Sequence, residues 1–277
     1  MTVVENGEEV VKEFTVTDYE IDPENGRYCF TFSGVRLQWM ADLVTATVYA
    51  EKDGVVSANS YSNYSVKTYI LNQLGKSENS ATLKTMLSDL LILGAKTQIY
   101  ADYKADDLMT ADVDESLLTP STYAGVPSDE YVQNMIVNDE NTRNIADWKS
   151  VSLTFKDAMS YQFKLAIDPS ALQDIKIVVT IPVPEKAARV DEYTAEDLEY
   201  DAANDRYVLS VDNVKALQYG ETVVGDIYYQ GTKISRTVNY SVNSYIQKNQ
   251  DSTDAGLRDF LRAVYLYGEA VRIYSGN

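Results

Sequence analysis

The feature that most constrains the fold is a motif that occurs twice in the chain. Residues 64–70 read YSVKTYI and residues 240–246 read YSVNSYI. Each copy is followed by an apolar segment that ends in a related sequence, GAKTQIY at 94–100 and GEAVRIY at 268–274. We therefore predict a tandem pair of related units. The repeat indicates architecture rather than chemistry.

Composition excludes several classes of partner. The chain has 277 residues, of which 45% are hydrophobic, so it can bury a sizeable core. Its net charge is −18, and nucleic acids and anionic membranes are bound by clustered Lys and Arg. We expect no nucleic-acid partner. We also expect no membrane insertion, because no apolar run approaches the roughly 18 residues of a membrane span.

The residues that carry most nucleophilic and metal chemistry are scarce. The chain has no histidine and one cysteine, Cys29, which excludes a Ser-His-Asp or Cys-His pair, a Cys/His zinc site and an internal disulfide. No cofactor and no metal site is predicted. Cys29 lies in the strand-like run RYCFTF, so we expect a packed, inert thiol.

Alternating residues predict antiparallel strands in both copies. A turn at Asn25-Gly26 separates two strands, and the side chains that share a face of the second strand are expected to be buried. The strands are 13–21 and 27–32, and the shared face carries Tyr28, Phe30 and Phe32. The hairpin recurs at 197–211, and further strands are predicted at 43–50, 151–155, 161–166, 175–181 and 222–229.

A pair of helices is predicted to close each copy. Ser65 and Ser241 are placed to cap a short helix, and Gly75 is expected to end the first one in left-handed geometry. A longer helix follows, with Gly94 and Gly268 at equivalent positions. Because glycine costs about 1 kcal/mol in a helix interior, we expect close backbone packing at both.

The predicted fold class is α+β, with two antiparallel β-sandwich-like domains, each closed by a C-terminal helical pair. The first repeat spans 1–103, an acidic linker at 104–147 is expected to pack on the domains, and the second repeat spans 148–277. The register of the repeat places Met1 opposite about Thr180. We therefore expect the first copy to lack its opening strands and the sequence to derive from a longer polypeptide.

The motifs as a set resemble a repeat domain of secreted and cell-surface proteins of gut Clostridia such as ruminococci and eubacteria. The similar features are the aromatic strand, the threonine-rich strand, the YSVxxYI helix start and the closing helix of each copy, over about 1–103 and 149–277. The resemblance implies an extracellular or cell-surface location. It implies no catalytic residue.

Two kinds of acidic cluster are candidate sites, one for glycoside hydrolysis and one for calcium binding. A glycosidase needs two carboxylates, one as acid and one as nucleophile or base. Asp18, Glu20 and Asp22 recur as Asp197, Glu199 and Asp201, which favours hairpin architecture over catalysis. The acidic runs at 112–115 and 138–141 lack the glycine and terminal glutamate of a calcium loop and are predicted to be solvated.

Aromatic residues in predicted loops are the candidate ligand-binding residues, because flat rings with polar tips suit sugar faces. They are Trp39, Tyr61, Tyr123, Tyr131 and Tyr219. The leading hypothesis is a non-catalytic accessory, adhesion or glycan-binding module of a bacterial surface protein, with a glycan or a surface or host protein as its partner. The alternatives are a structural spacer and a glycoside-active enzyme that uses a carboxylate pair.

Overall fold

The computed structural model describes residues 2–5, 8–11, 20–31, 35–127, 135–136, 144–155, 159–212 and 214–276. This part of the chain is α+β, with antiparallel strand pairs and four α-helices. The chain divides into two compact units, unit 1 from Met1 to Ser121 and unit 2 from Thr122 to Asn277. Most of the predicted strand at 13–21 and the acidic run at 138–141 lie outside the described residues.

Unit 1 combines a four-stranded sheet, a separate hairpin and two helices. Its elements are β1 (Thr2–Glu5), β2 (Glu8–Val11), β3 (Glu20–Ile21), β4 (Tyr28–Cys29), β5 (Val44–Lys52), β6 (Val55–Tyr64), α1 (Val66–Leu74) and α2 (Ala81–Tyr100). The sheet has the order β2-β1-β5-β6, and β3 pairs with β4.

Unit 2 has a six-stranded sheet, a four-stranded sheet and two helices. Its elements are β7 (Met135–Ile136), β8 (Ala146–Thr154), β9 (Ser160–Ile167), β10 (Ile175–Val183), β11 (Lys186–Tyr193), β12 (Glu199–Asp201), β13 (Arg206–Val211), β14 (Val223–Tyr229), β15 (Thr232–Lys233), β16 (Thr237–Tyr240), α3 (Val242–Asn249) and α4 (Ala255–Tyr274). One sheet has the order β11-β10-β14-β16-β7, with β15 beside β14, and the other has the order β12-β13-β9-β8.

The same local chemistry produces equivalent hairpins in the two units. The turns Asp53-Gly54 and Gln230-Gly231 both have two residues with positive φ, at 55° and 78° and at 48° and 79°. Such turns match the right-handed twist of the flanking strands. The Asn25-Gly26 turn is confirmed as well, with Gly26 at φ 68°.

The two sheets of unit 2 pack face to face over a dense core. Gly225 on β14 leaves room for the rings of Trp148 and Phe163 from the opposite sheet, which lie 3.2 and 3.3 Å from the point where a Cβ would stand. The indole nitrogen of Trp148 donates to the carbonyl of Arg236 at 2.7 Å, so its one polar group is satisfied. Alternate residues of β9, including Tyr161, Phe163 and Leu165, are fully buried in this layer.

The helices begin where the sequence predicts. The hydroxyl of Ser65 accepts a hydrogen bond from the Thr68 amide at 3.0 Å, and that of Ser241 accepts one from the Ser244 amide at 2.9 Å. The cap prediction is therefore confirmed for both. Gly75 does end α1, but at φ −71° it is right-handed, so the predicted left-handed geometry is wrong.

The two helices of each unit are held by two similar contacts. In unit 1 the side chain of Met40 packs on Gly94 of α2, and the Met40 carbonyl accepts from the Lys67 amide at 2.9 Å. In unit 2 the ring of Tyr219 packs on Gly268 of α4, and the Tyr219 carbonyl accepts from the Asn243 amide at 2.9 Å. The two glycines are thus tightly packed, although against side chains rather than backbone.

The segment after α2 belongs to unit 1 as far as Ser121. Met109 is buried in the helical core, and its amide donates to Gln98 Oε1 at 2.6 Å. Asp89, on the buried face of α2, accepts from the amide and the hydroxyl of Ser121 at 2.9 and 2.7 Å. Burial is the main cause that raises the pKa of Asp89, and the two Ser121 hydrogen bonds partly offset it.

The predicted burial of the first aromatic strand is wrong. Cys29 is exposed, and Tyr28 and Phe30 are 66% and 46% exposed, while Phe32 lies outside the described residues. In unit 2 the corresponding strand β13 belongs to the sheet β12-β13-β9-β8, and its Leu209 and Val211, at the positions of Phe30 and Phe32, are buried. The described part of unit 1 contains no counterpart of β8 or β9.

Candidate functional site

The five aromatic residues predicted as ligand contacts have very different positions. Trp39 and Tyr219 are only 2% and 7% exposed, so neither presents a ring face to a ligand. Tyr61 is 64% exposed on β6 of unit 1, and Tyr123 is half-buried in unit 2. Tyr131 lies outside the described residues.

Trp39 and Tyr219 are buried because each lies at a short 3₁₀ helix that turns into the core. Trp39 ends the 3₁₀ helix Leu37–Trp39, and the Arg36 guanidinium lies 4.2 Å from the centre of its ring. Tyr219 follows the 3₁₀ helix Ala216–Gln218 and packs on Gly268; its burial raises the pKa of its hydroxyl. Both rings therefore lie in the core of their units.

Tyr123 is engaged in contacts within unit 2. Its hydroxyl donates to Gln250 Oε1 at 2.6 Å, and its ring meets Tyr265 edge to face with 6.0 Å between centroids. The Arg262 guanidinium lies 5.1 Å from the centre of the same ring. Partial burial raises the pKa of the Tyr123 hydroxyl. These contacts fasten the start of unit 2 to α4 and leave little of the ring for a ligand.

A different pair of tyrosines lines a surface depression of unit 2. The depression has a volume of about 290 Å³ and is open to solvent on one side. Tyr200 and Tyr207, opposite each other on β12 and β13, place their rings 5.1 Å apart at 51°. The remaining lining residues are Ala166, Ile167, Pro169 and Asp205.

The polar groups at this depression are few and fixed. The Tyr200 hydroxyl donates to Asp205 Oδ1 at 2.8 Å, and this hydrogen bond raises the pKa of Tyr200. Asp205 occupies the hairpin turn with φ at 48°. Behind it, Asp201 accepts from Asn204 and from the Arg206 guanidinium, and the Asn204 contact is the main cause that lowers the pKa of Asp201. The turn is held rigid, with one carboxylate facing the depression.

Sequence reasoning missed Tyr200 and Tyr207 although it predicted their hairpin. The signal lies in the register: a hairpin at 197–211 with its turn at 202–205 brings the two tyrosines opposite each other. The equivalent positions in unit 1 are Ile21 and Tyr28, which pair across β3 and β4, and Gly26 stands in place of Asp205. The tyrosine pair and the carboxylate of the depression are therefore present at these positions in unit 2 and not in unit 1.

Neither a metal cluster nor a membrane helix is found in the described ranges. These residues contain no group of three or more His, Cys, Asp or Glu side chains suited to hold a metal ion. Within the same part of the chain, every helix is too short or too polar to cross a bilayer.

Comparisons with protein-family models, with curated proteins and with solved structures find no match to this chain. The fold thus defines a broad class, an α+β protein of two compact units with antiparallel sheets.

Proposed function

We propose that the protein is a non-catalytic glycan-binding module of a bacterial surface or secreted protein, and that it binds through the depression at Tyr200 and Tyr207. The observation that carries this proposal is the exposed ring of Tyr200, 52% accessible, beside a second tyrosine and a carboxylate at one concave site. The resemblance to surface-protein repeats supports the setting.

The chemistry of the depression suits a sugar ring. The apolar C–H face of a pyranose packs on a flat aromatic ring, and its hydroxyls need acceptors nearby. Tyr200 supplies the ring, and Asp205 Oδ1, which holds the Tyr200 hydroxyl at 2.8 Å, lies within reach of a sugar hydroxyl. At about 290 Å³, the depression is at the small end of ligand sites and fits one or two sugar rings.

Binding is favoured over glycoside hydrolysis by the number of carboxylates at the site. Hydrolysis by the usual mechanisms needs two carboxyl groups about 5 to 10 Å apart across the scissile bond. Among the residues that the structure describes, Asp205 is the one carboxylate that lines this depression. The carboxylate of Asp201 is committed to Arg206 at 3.0 Å and to Asn204.

A second candidate function is that of a structural spacer, in which the two units are copies of one β-sandwich-like repeat. The favouring observation is the shared fastening of the long helices, Met40 on Gly94 and Tyr219 on Gly268. Features repeated in both copies serve the fold, whereas the tyrosine pair is present in one copy only.

A glycan array followed by titration calorimetry distinguishes the two functions. We expect binding of the full chain to at least one glycan, and a loss of about tenfold or more in affinity in Tyr200→Ala. Tyr274→Ala is the matched control, because Tyr274 is similarly exposed at 48% on the end of α4 in the same unit. Binding that survives Tyr200→Ala contradicts the site, and no binding to any glycan favours the spacer.

A further inference from the structure

An apolar sheet face of unit 1 is open to solvent. On β5, Val44, Ala46 and Val48 share one face by strand alternation. On β6, Tyr64 stands opposite Val44 and Tyr61 opposite Ala46, so both rings lie on that face. We call these five residues the open face. Val48, Tyr61 and Tyr64 are 55%, 64% and 54% exposed, Val44 and Ala46 are half-buried, and the five side chains carry no charge. Asn59, which pairs with Val48, is a polar neighbour whose amide donates to the Tyr61 hydroxyl at 3.3 Å.

The equivalent face of unit 2 is completely covered. Val223 and Ile227 on β14 correspond to Val44 and Val48, and both have zero exposure. Val223 pairs with Tyr240 just as Val44 pairs with Tyr64, although β5 and β6 then pass through a bulge between Val44 and Ala46, whereas β14 and β16 pair regularly from Val223 to Gly225. The two sheets also share their strand order, β11-β10-β14-β16 in unit 2 and β2-β1-β5-β6 in unit 1.

The cover in unit 2 is the antiparallel hairpin β8–β9. Its side chains Trp148 and Phe163 are fully buried and pack against Gly225 of β14. Tyr161 of β9 meets Tyr240 edge to face, with 6.3 Å between ring centroids. A hairpin therefore fits this sheet face by stacking alternate aromatic and aliphatic residues on it, layer on layer.

From this correspondence we propose that the open face of unit 1 is a docking site for an antiparallel β-hairpin whose inward face alternates aromatic and aliphatic side chains, as β8–β9 does. The kind of partner is inferred from the residues of the open face. Tyr64 occupies the position of Tyr240, which contacts Tyr161. Val44 and Val48 occupy the positions of the buried Val223 and Ile227. The proposal is independent of the glycan site.

The test uses the full chain and a fluorescent synthetic peptide with the sequence of residues 144–168, which contains β8 and β9. Fluorescence anisotropy is expected to show saturable binding. In Val48→Asp the affinity is expected to fall by about tenfold or more, because a charge would be buried under the hairpin. In Val190→Asp it is expected to stay unchanged. Val190 is the matched control, an exposed strand valine of unit 2 with 57% exposure against 55% for Val48.

Two further arms make a negative result decisive. Tyr61→Asp is a second variant on the open face, used with Val48→Asp so that one misfolded variant does not decide the test. The peptide is also fused to the amino terminus through a flexible linker, which raises its effective concentration to the millimolar range, as expected for a short flexible linker. No binding in trans and no added hydrogen-exchange protection of β5 in the fusion would overturn the proposal.

Other outcomes identify a different occupant. Equal binding to the wild type and Val48→Asp means that the peptide docks elsewhere, which contradicts the proposal. A concentration-dependent dimer that Val48→Asp abolishes, seen by analytical ultracentrifugation without peptide, assigns the face to a second copy and overturns the hairpin as its occupant.

Discussion

Strands β5 and β14 hold the same place in their units, yet Val48 is 55% exposed and Ile227 is not exposed at all. Apolar residues alternate along both strands, and both are followed by a two-residue turn with positive φ. The strands that pair with them, β6 and β16, each lead into a serine-capped helix. What differs is the second layer, which is present in unit 2 as β8–β9. Strand alternation thus defines an apolar face of the sheet, and the neighbouring layer decides whether that face is buried.

The helices show the opposite behaviour. Gly94 and Gly268 are both packed against the residue that follows a 3₁₀ helix, although that residue is Met40 in one unit and Tyr219 in the other. The packing of the long helices is thus similar in the two units. The first three predictions test the sheet, the packing of the helices and their caps, and the fourth tests a polar contact that only unit 1 has.

The largest expected effect is a difference in the loss of stability between matched substitutions in the two sheets. Ile227→Ala removes a fully buried side chain and is expected to lower the free energy of unfolding of unit 2 by about 2–5 kcal/mol. Val48→Ala, at the matched position, is expected to cost unit 1 less than about 1 kcal/mol because the side chain is already exposed. Urea unfolding read by pulsed hydrogen exchange reports each unit separately; equal losses would contradict the comparison.

The second prediction concerns the two helix glycines. In Gly268→Ala the new Cβ would stand 2.6 Å from Tyr219 Cδ2, in a buried ring that cannot yield, so we expect a net loss of about 1–2 kcal/mol after the gain in helix propensity. In Gly94→Ala the nearest atom is the terminal methyl of Met40 at 2.8 Å, which is flexible, so we expect a change below about 1 kcal/mol.

The rescue variant sharpens this contrast. Adding Tyr219→Met to Gly268→Ala gives unit 2 the partner found in unit 1, and a double-mutant cycle is expected to show that Gly268→Ala is less costly in that background. Additive effects in the cycle would mean that the Tyr219 ring is not the obstacle.

The third prediction is that removing the serine cap of either short helix has an equal effect on the stability of its unit. Ser65→Ala and Ser241→Ala each remove a hydroxyl that accepts an amide hydrogen bond at the start of a helix, at 3.0 and 2.9 Å. Each is expected to cost its own unit about 1 kcal/mol. The same pulsed-exchange experiment measures both. A loss in one unit without a loss in the other would show that the two helix starts are not equivalent.

The fourth prediction concerns the contact between Asp89 and Ser121 in unit 1. Asp89 holds Ser121, whereas the matching residue in α4 is Ala263. Burial raises the pKa of Asp89, so its contribution to stability is fully present below the unfolded-chain value of 3.8 and decreases as pH rises through the folded pKa.

Substituting Asp89→Asn removes this titration while it keeps the shape of the side chain and one oxygen acceptor. The stability of the variant relative to wild type is therefore expected to be higher at neutral pH than near pH 4. Urea midpoints of unit 1 at the two pH values measure the difference, and a difference that does not change with pH would count against a raised pKa.

Local chemistry made part of the structure predictable from sequence. The α+β class, the serine caps and the turn glycines follow from propensity and from positive φ, which depend on a few neighbouring residues. The burial of Trp39 and the exposure of Cys29 do not follow, because both depend on which layers surround them. The tyrosine pair needed the cross-strand register, which places Tyr200 opposite Tyr207.

Native-state hydrogen exchange on the unmodified chain compares the two strands without any substitution. We expect the amides of β14 to exchange only when unit 2 unfolds, because a second layer covers them, whereas those of β5 exchange faster through local opening. Helices α2 and α4 are the internal reference and are expected to be similarly protected. Equal protection of β5 and β14 would mean that the open face of unit 1 is covered in solution, and the proposed difference between the two sheets would then be wrong.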